Sequence, residues 1–311
     1  MEKIFELFTH HFIVSGIELN ILIPPVVAFV ISFFTSIAGI SGAFLLMPYQ
    51  VSVLNYASPS ASGTNLVYNI IATPGGIYRY IKEGRMLWPL SAVVIAGTVP
   101  GSLAGFYSRV FFLNDPAIFR IFAGIFLFYI GVRMANDIYK KQSDICSEAE
   151  IKDAYPINAK ECHIDIKLLS FSRVSFFFNG NDYSFNVPGL FLIAFFVGVA
   201  GGAYGIGGGA IIAPFCMAAY GLPVYTIAGA ALFSGFVTAL FGVVFYAFMP
   251  VADGIAATPD IALGALFGIG GFLGIYLGAR VQRFIPEKPV RVGICGLLVI
   301  TGAAYLIQSL F

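Results

Sequence analysis

Residues 201–214 read GGAYGIGGGAIIAP. Six glycines stand in nine positions, an apolar run follows, and Pro214 closes it. The flanks LFLIAFFVGVA (190–200) and FCMAAYGLPV (215–224) carry no charge. Glycine this dense weakens a helix, so its place inside the greasiest part of the chain needs a physical reason.

The surroundings set the solvent. Of 311 residues, 59% are hydrophobic and only 11% charged, with a mean hydropathy of +0.88. A water-soluble domain carries about 25% charged residues. Apolar runs recur at 21–38, 61–78, 87–107, 117–132, 190–204, 225–248, 262–279 and 292–310, and roughly 20 apolar residues cross a bilayer. We therefore expect an all-α polytopic membrane protein. Glu2, Glu6 and Glu18 precede the first run, so no basic leader and no removable signal peptide is expected. A net charge of +1 gives no case for nucleic acid as a partner. Cys146, Cys162, Cys216 and Cys295 lack metal-ligand spacing, so neither a metal site nor a cofactor is expected.

The glycine motif occurs twice. Segments 39–66 and 205–232 align without a gap, pairing Gly39 with Gly205, Ile40 with Ile206, Gly42 with Gly208 and Pro48 with Pro214. Gly63 then meets Gly229, Leu66 meets Leu232, Gly76 meets Gly242 and Tyr80 meets Tyr246. After a short insertion, Gly101 and Gly105 match Gly274 and Gly278, while Arg120 and Gly131 match Arg291 and Gly302. We read residues 1–139 as a first transmembrane repeat, 140–187 as a hydrophilic insert and 188–311 as a second repeat.

Basic loops sit on the cytoplasmic side. RYIKEGRM (79–86) is basic, whereas its counterpart MPVADGIAATPD (249–260) has two aspartates and no base. The next pair of loops reverses the pattern, with one arginine near 108–116 and four bases in ARVQRFIPEKPVR (279–291). Equivalent loops on opposite faces predict inverted repeats, a transporter architecture with an odd number of crossings per half. The same rule puts the insert in the cytoplasm, and a multi-pass location in the plasma membrane is expected. Within the insert, alternation in RVSFFFNGNDYSFNV and the turn pair Asn179-Gly180 predict a β-hairpin. It is read either as a soluble linker or as a binding module.

Two readings of the glycines stand at this point. Either GISG and GIGGG interrupt helices at depth, or they are close-packing surfaces on unbroken helices. The repetition together with Pro214 and Pro48 favours the break. A break survives in hydrocarbon only where it lines a cavity or the protein interior. The helix that restarts there presents free N–H groups and a partial positive charge, and glycine lets a ligand approach them. Two breaks brought together predict an anion site near the midplane. The candidate binding residues are Gly39, Ser41, Gly42, Thr64, Asn65, Asn69, Gly205, Gly207, Gly208, Gly209 and Ser234, whose amides and hydroxyls can donate to an oxyanion. Among the arginines near span ends (Arg109, Arg120, Arg133 and Arg280), snorkelling to the interface is the favoured reading. Arg120 is the possible charge contact, because its repeat partner is also arginine.

Other classes fit poorly. Gly205–Ala210 matches a dinucleotide fingerprint only superficially, since no strand precedes it and no acidic residue follows at the needed distance. The spans hold no histidine or carboxylate, so neither an intramembrane enzyme nor a proton relay is expected.

G-I-G-G-G-x-x-x-x-P at Gly205–Pro214 with AGAALF at 228–233, and G-I-S-G-x-x-x-x-x-P at Gly39–Pro48 with ASGTN at 61–65, resemble the TauE/SafE sulfite exporter family. The resemblance covers 20–139 and 188–311. It implies a secondary transporter, with export as the direction, of a small sulfur-containing anion such as sulfite or a sulfonate. An anion channel, or a carrier for a small non-sulfur carboxylate, is the alternative. Ser41 stands where the family pattern expects glycine, which leaves substrate identity open.

Overall fold

In a computed structural model, the described residues are 8–38, 40–82, 84, 86–143, 164–178, 180–248, 257–281 and 287–309. Gly39, residues 249–256 and residues 144–163 of the insert lie outside them. The chain is mostly helical. The first half contains α1 (Ile23–Ala38), α2 (Ala43–Ser52), α3 (Pro59–Ala72), α4 (Pro74–Lys82), α5 (Trp88–Phe111) and α6 (Pro116–Ser143). The second contains α7 (Val187–Tyr204), α8 (Gly209–Tyr220), α9 (Val224–Phe248), α10 (Ile261–Val281) and α11 (Glu287–Gln308). Among the described residues, six helices are long and apolar enough to cross a membrane, and α1 is a shorter apolar helix.

The span expected at 61–78 is two helices. α3 ends at Ala72 and α4 begins at Pro74, because proline has no N–H for the helical ladder and its ring clashes with the preceding turn. A second departure concerns length. α7 has 18 residues and α8 has 12, or about 27 Å and 18 Å at 1.5 Å per residue. The pieces flanking the second glycine motif are thus unequal rather than two half-spans. Tyr220 at the end of α8 returns to the start of α7, where its hydroxyl donates to the Asn186 carbonyl at 3.4 Å. α7 and α8 therefore form a hairpin with the glycines at its apex.

The packing follows the sequence repeat. On α5, Gly97, Gly101 and Gly105 face the carbonyl oxygens of Phe191, Phe195 and Val199 on α7. On α10, Gly270, Gly274 and Gly278 face those of Pro25, Phe29 and Phe33 on α1. A Cβ on any of the six would come under 3.0 Å from those oxygens. Each half thus gives its first helix to a glycine ridge of the other half, and both pairs run parallel. Lipid supplies no hydrophobic force between helices, so close backbone approach across small residues is what holds such pairs.

Two further pairs are antiparallel and reciprocal. A Cβ on Gly63 would meet Tyr246, and one on Gly229 would meet Tyr80; Gly76 faces Leu232, and Gly242 faces Leu66. These contacts bring α3–α4 against α9. Between α6 and α11, Gly131 faces Val299 and Gly302 faces Phe128. Residues equivalent by repeat exchange partners in every case.

Small β elements sit at the two ends. β1 (Thr9–Phe12) and β2 (Ile17–Asn20) form a hairpin just before α1. Its turn residue Ser15 donates from N and Oγ to Asp260 Oδ2 at 3.1 and 2.8 Å, beside the start of α10. The insert carries β3 (Asp165–Leu169), β4 (Arg173–Phe178) and β5 (Asn181–Asn186) in one antiparallel sheet. The expected hairpin is β4–β5, with Gly180 at φ +81° in its turn, and β3 adds a strand. Val174, Phe176, Phe178 and Phe185 turn inward to the main core. β5 leads directly into α7, whose start lies at the same end as that of α5. The insert sheet therefore shares an end with Lys82, opposite the β1–β2 hairpin.

Replacing Gly101 or Gly274 by valine should each cost about 1–3 kcal/mol or more through overpacking, read as a lower thermal midpoint of the purified protein. Gly296→Ala should leave the midpoint unchanged, since a Cβ there meets nothing within 4 Å.

Candidate functional site

The chain leaves its helical path at both glycine motifs. α7 stops at Tyr204, and Gly205 and Gly207 take left-handed φ values of +88° and +81°. Side chains with a Cβ rarely adopt such angles. The N–H groups of Gly205, Ile206 and Gly207 all turn back to the Gly201 carbonyl, at 3.0, 2.9 and 3.2 Å, and α8 restarts with Gly208 as its cap. In the first half α1 stops at Ala38, Ile40 N reaches back to Thr35 O at 3.0 Å, and α2 restarts after Gly42. The cap residues Gly42 and Gly208 have no side chain to offer, but at the start of α2 Ser41 Oγ accepts from Ala43 N at 3.3 Å.

Asparagines four apart on α3 tie the motifs together. Asn65 Nδ2 donates to Gly205 O at 2.9 Å and to Ala43 O at 3.3 Å. One turn on, Asn69 Nδ2 donates to Ile206 O at 2.9 Å, while its Oδ1 accepts from Ser41 Oγ at 3.4 Å. Tyr204 adds a bond from its hydroxyl to Phe44 O at 3.2 Å. The amides satisfy carbonyls that would otherwise be stranded in a dry interior. Asn65 Oδ1 is buried without a hydrogen-bond partner among the described residues.

The structure thus brings Ser41, Gly42, Asn65, Asn69 and Gly205 into one cluster. Gly207, Gly208 and Gly209 lie on its far side, pressed against other helices: Gly207 on Thr238, Gly208 on Thr98 and Gly198, and Gly209 on the α9 backbone and Ser234. Ser234 bonds its own helix at Ala231 O, 3.0 Å away. The first-half counterpart of the Gly208 contact is Gly42 against Tyr68 and Ser32, whose hydroxyls pair at 2.8 Å. These glycines lie where helices end and they also pack closely, so the close packing expected of them occurs without the unbroken helices. Thr64 turns away from the cluster, accepting from Asp260 N at 2.9 Å and approaching the Tyr56 hydroxyl at 3.2 Å. Arg120 is half-buried outside it, and Gly39 lies outside the described residues. The repeat partner of Arg120, Arg291, donates from Nε to Ala38 O at 3.1 Å. A cation there offsets the negative end of α1.

A charge lies next to the cluster, and it is not one that sequence reasoning favoured. Arg109, expected to snorkel, is completely buried. Its Nε donates to Ser62 Oγ at 3.1 Å, and its terminal nitrogens reach Ala57 O and Leu113 O. The guanidinium carbon lies 3.7 Å from the Phe119 ring centroid. Ser62 in turn packs on the second break, where a Cβ on Gly205 would stand 2.7 Å from Ser62 Cα. The buried Tyr246 hydroxyl faces the same serine and arginine and makes no hydrogen bond of acceptable geometry. A signal existed: Arg109 continues the four-residue spacing of Gly97, Gly101 and Gly105, which marks an inward face.

A family model described as sulfite exporter TauE/SafE matches residues 25–305. The chain belongs to the TauE/SafE family. It is 22% identical over 291 residues to the probable membrane transporter protein YunE of Bacillus subtilis. That match covers 89% of this chain and 93% of the relative. It is 25% identical over 301 residues to the probable membrane transporter protein MJ0441 of Methanocaldococcus jannaschii, covering 93% and 97%. No solved structure matches it. As a TauE/SafE protein the chain is a polytopic membrane transporter, and both glycine motifs fall within the matched span.

Gly205→Ala should lower the thermal midpoint by an amount equivalent to at least about 1–3 kcal/mol, through backbone strain and the clash with Ser62. Asn69→Ala should cost about 1–2 kcal/mol, since it strands the Ile206 carbonyl. Differential scanning fluorimetry of the two variants checks both values.

Proposed function

We propose that this TauE/SafE protein is a secondary transporter of a small oxyanion, with a sulfur oxyanion such as sulfite as the first candidate. The anion is held where α3 ties the two glycine motifs together. The observation that supports this most is Arg109. A buried guanidinium is costly unless paired, yet among the described residues its contacts are one hydroxyl, two carbonyls and a ring. It meets no carboxylate, and it stands one residue from Gly205. A mobile anion is the counter-charge that such a site lacks. The start of α2, whose Ala43 N is bonded to Ser41 Oγ, adds the positive end of a helix beside the cluster. The described transmembrane helices place no carboxylate at the cluster, so the substrate itself carries the negative charge.

The two halves are proposed to be inverted in the membrane. The antiparallel, reciprocal packing of α3–α4 on α9 and of α6 on α11 supports this. By the charge rule the end holding Lys82, Arg280 and the insert sheet is cytoplasmic, in the plasma membrane, and the β1–β2 hairpin faces outward.

Purified protein in liposomes should take up sulfite with saturation, and unlabelled sulfite on the far side should accelerate exchange. Arg109→Gln should reduce that uptake by about 100-fold or more, as expected for removing a buried charge contact worth roughly 3 kcal/mol. Arg109→Lys should not restore it, because an ammonium cannot reproduce the fork that reaches three acceptors. Full uptake by the glutamine variant would remove Arg109 from the site. Ohmic currents without saturation would replace the carrier by a channel.

A further inference from the structure

At the basic end a cavity of about 680 Å³ opens between α3–α4 and α10, lined by Ala72, Gly76 and Arg79 on one side and Phe272, Ala279 and Arg280 on the other. Ala72, at its inner end, lies one turn beyond Tyr68 and Asn69 on α3. The sequence repeat shows why it is open. The register that pairs Gly105 with Gly278 pairs Phe106 with Ala279, and Tyr107 with Arg280. The register that pairs Gly76 with Gly242 pairs Arg79 with Phe245.

At the opposite end of the bundle the equivalent space is filled. Phe106 is fully buried, its ring 5.8 Å from that of Phe245 and 5.3 Å from that of Tyr246. A Cβ on Gly242 would strike it. At the basic end Ala279 leaves that volume empty, and exposed Arg79 and Arg280 stand at the repeat positions of Phe245 and Tyr107, beside Tyr78, Phe272 and Tyr276. One fold therefore presents a plugged, aromatic site on one face and an open, doubly cationic one on the other.

We infer that this cavity is the vestibule through which the small oxyanion reaches the glycine cluster from the basic face, with Arg79 and Arg280 as its capture residues and Phe106 as the plug of its closed twin. The inference deepens the transport reading and rests on it. Two arginines at a low-dielectric mouth concentrate anions and raise their rate of entry. The exchange of a phenylalanine for an alanine between halves makes the two faces unequal, as a carrier caught open to one side requires.

The decisive experiment reads the cavity without relying on transport. In detergent-solubilised protein with its four cysteines replaced by alanine, an Ala279→Cys variant is treated with sulfonate-bearing and ammonium-bearing methanethiosulfonate reagents. With each rate normalised to that reagent's rate with a small free thiol, because the thiolate intrinsically favours the cationic reagent, the anionic reagent should react at least about 10-fold faster than the cationic one. Adding Arg79→Gln and Arg280→Gln should bring the ratio near one, and a Phe106→Cys variant should react with neither. Equal normalised rates in the arginine-containing protein would overturn the vestibule. So would protection of the Ala279→Cys thiol by phosphatidylglycerol, which would make the space a lipid-headgroup seat. In liposomes, Arg79→Gln with Arg280→Gln should raise the KM for sulfite several-fold at unchanged maximal rate, and Ala279→Phe should cut uptake about 10-fold or more. If the parent moves no sulfite, the substrate reading fails while the thiol ratio still decides the cavity.

Discussion

Close backbone contact across glycine ridges is the constraint on which everything else rests. α5 lies on α7, and α10 on α1, through three glycines each whose missing side chains leave room only for a carbonyl oxygen. In a bilayer, where apolar helices gain no hydrophobic force from one another, such packing works together with interhelical hydrogen bonds to draw them together. Because each ridge grips a helix of the other half, neither half can close its own core. The halves interlock, and the two glycine motifs at the ends of α1 and α7 are carried to one place.

That interlocking creates a polar problem at the centre. Helix ends buried in hydrocarbon leave carbonyls and amides without partners. Asn65 and Asn69 solve it on one side by bridging both motifs. On α9 the register places Ala231 and Gly235, and there the backbone of Gly209 simply packs close. The pseudo-symmetric frame thus carries an asymmetric interior. Arg109 sharpens the asymmetry, since the repeat register places Gln282 opposite it. A buried positive charge thus lies beside the cluster in one half only, and the basic cavity opens at one end of the bundle.

Much of this was legible in the chain. Glycine, proline and tyrosine in one ungapped register gave the duplication, and the same pairs meet each other across the two halves. The amides Asn65 and Asn69 stood out because such groups are costly in a span. What stayed hidden depended on partners distant in sequence. Arg109 sits near a helix end, where a long side chain ordinarily reaches for water; only the packing of α3 and α6 around it closes that route. Thr64 belonged to the same polar run as Asn65 yet faces Asp260 instead, a difference of one helical step. The β1–β2 hairpin, with His10 and His11, is too short and too polar to announce a strand pair. The cavity depends on comparing Phe106 with Ala279, a pairing that gains meaning only once both are seen beside their glycines.

The most direct check on the interlocked, antiparallel arrangement is the sidedness of its two end sheets in intact cells. Ile13 and Phe171 are 89% and 98% exposed, so cysteines introduced singly at these positions should fold normally. The account predicts that an impermeant thiol reagent labels the Ile13→Cys protein from outside and reaches the Phe171→Cys protein only after the cells are permeabilised. Labelling of both from the same side would contradict it.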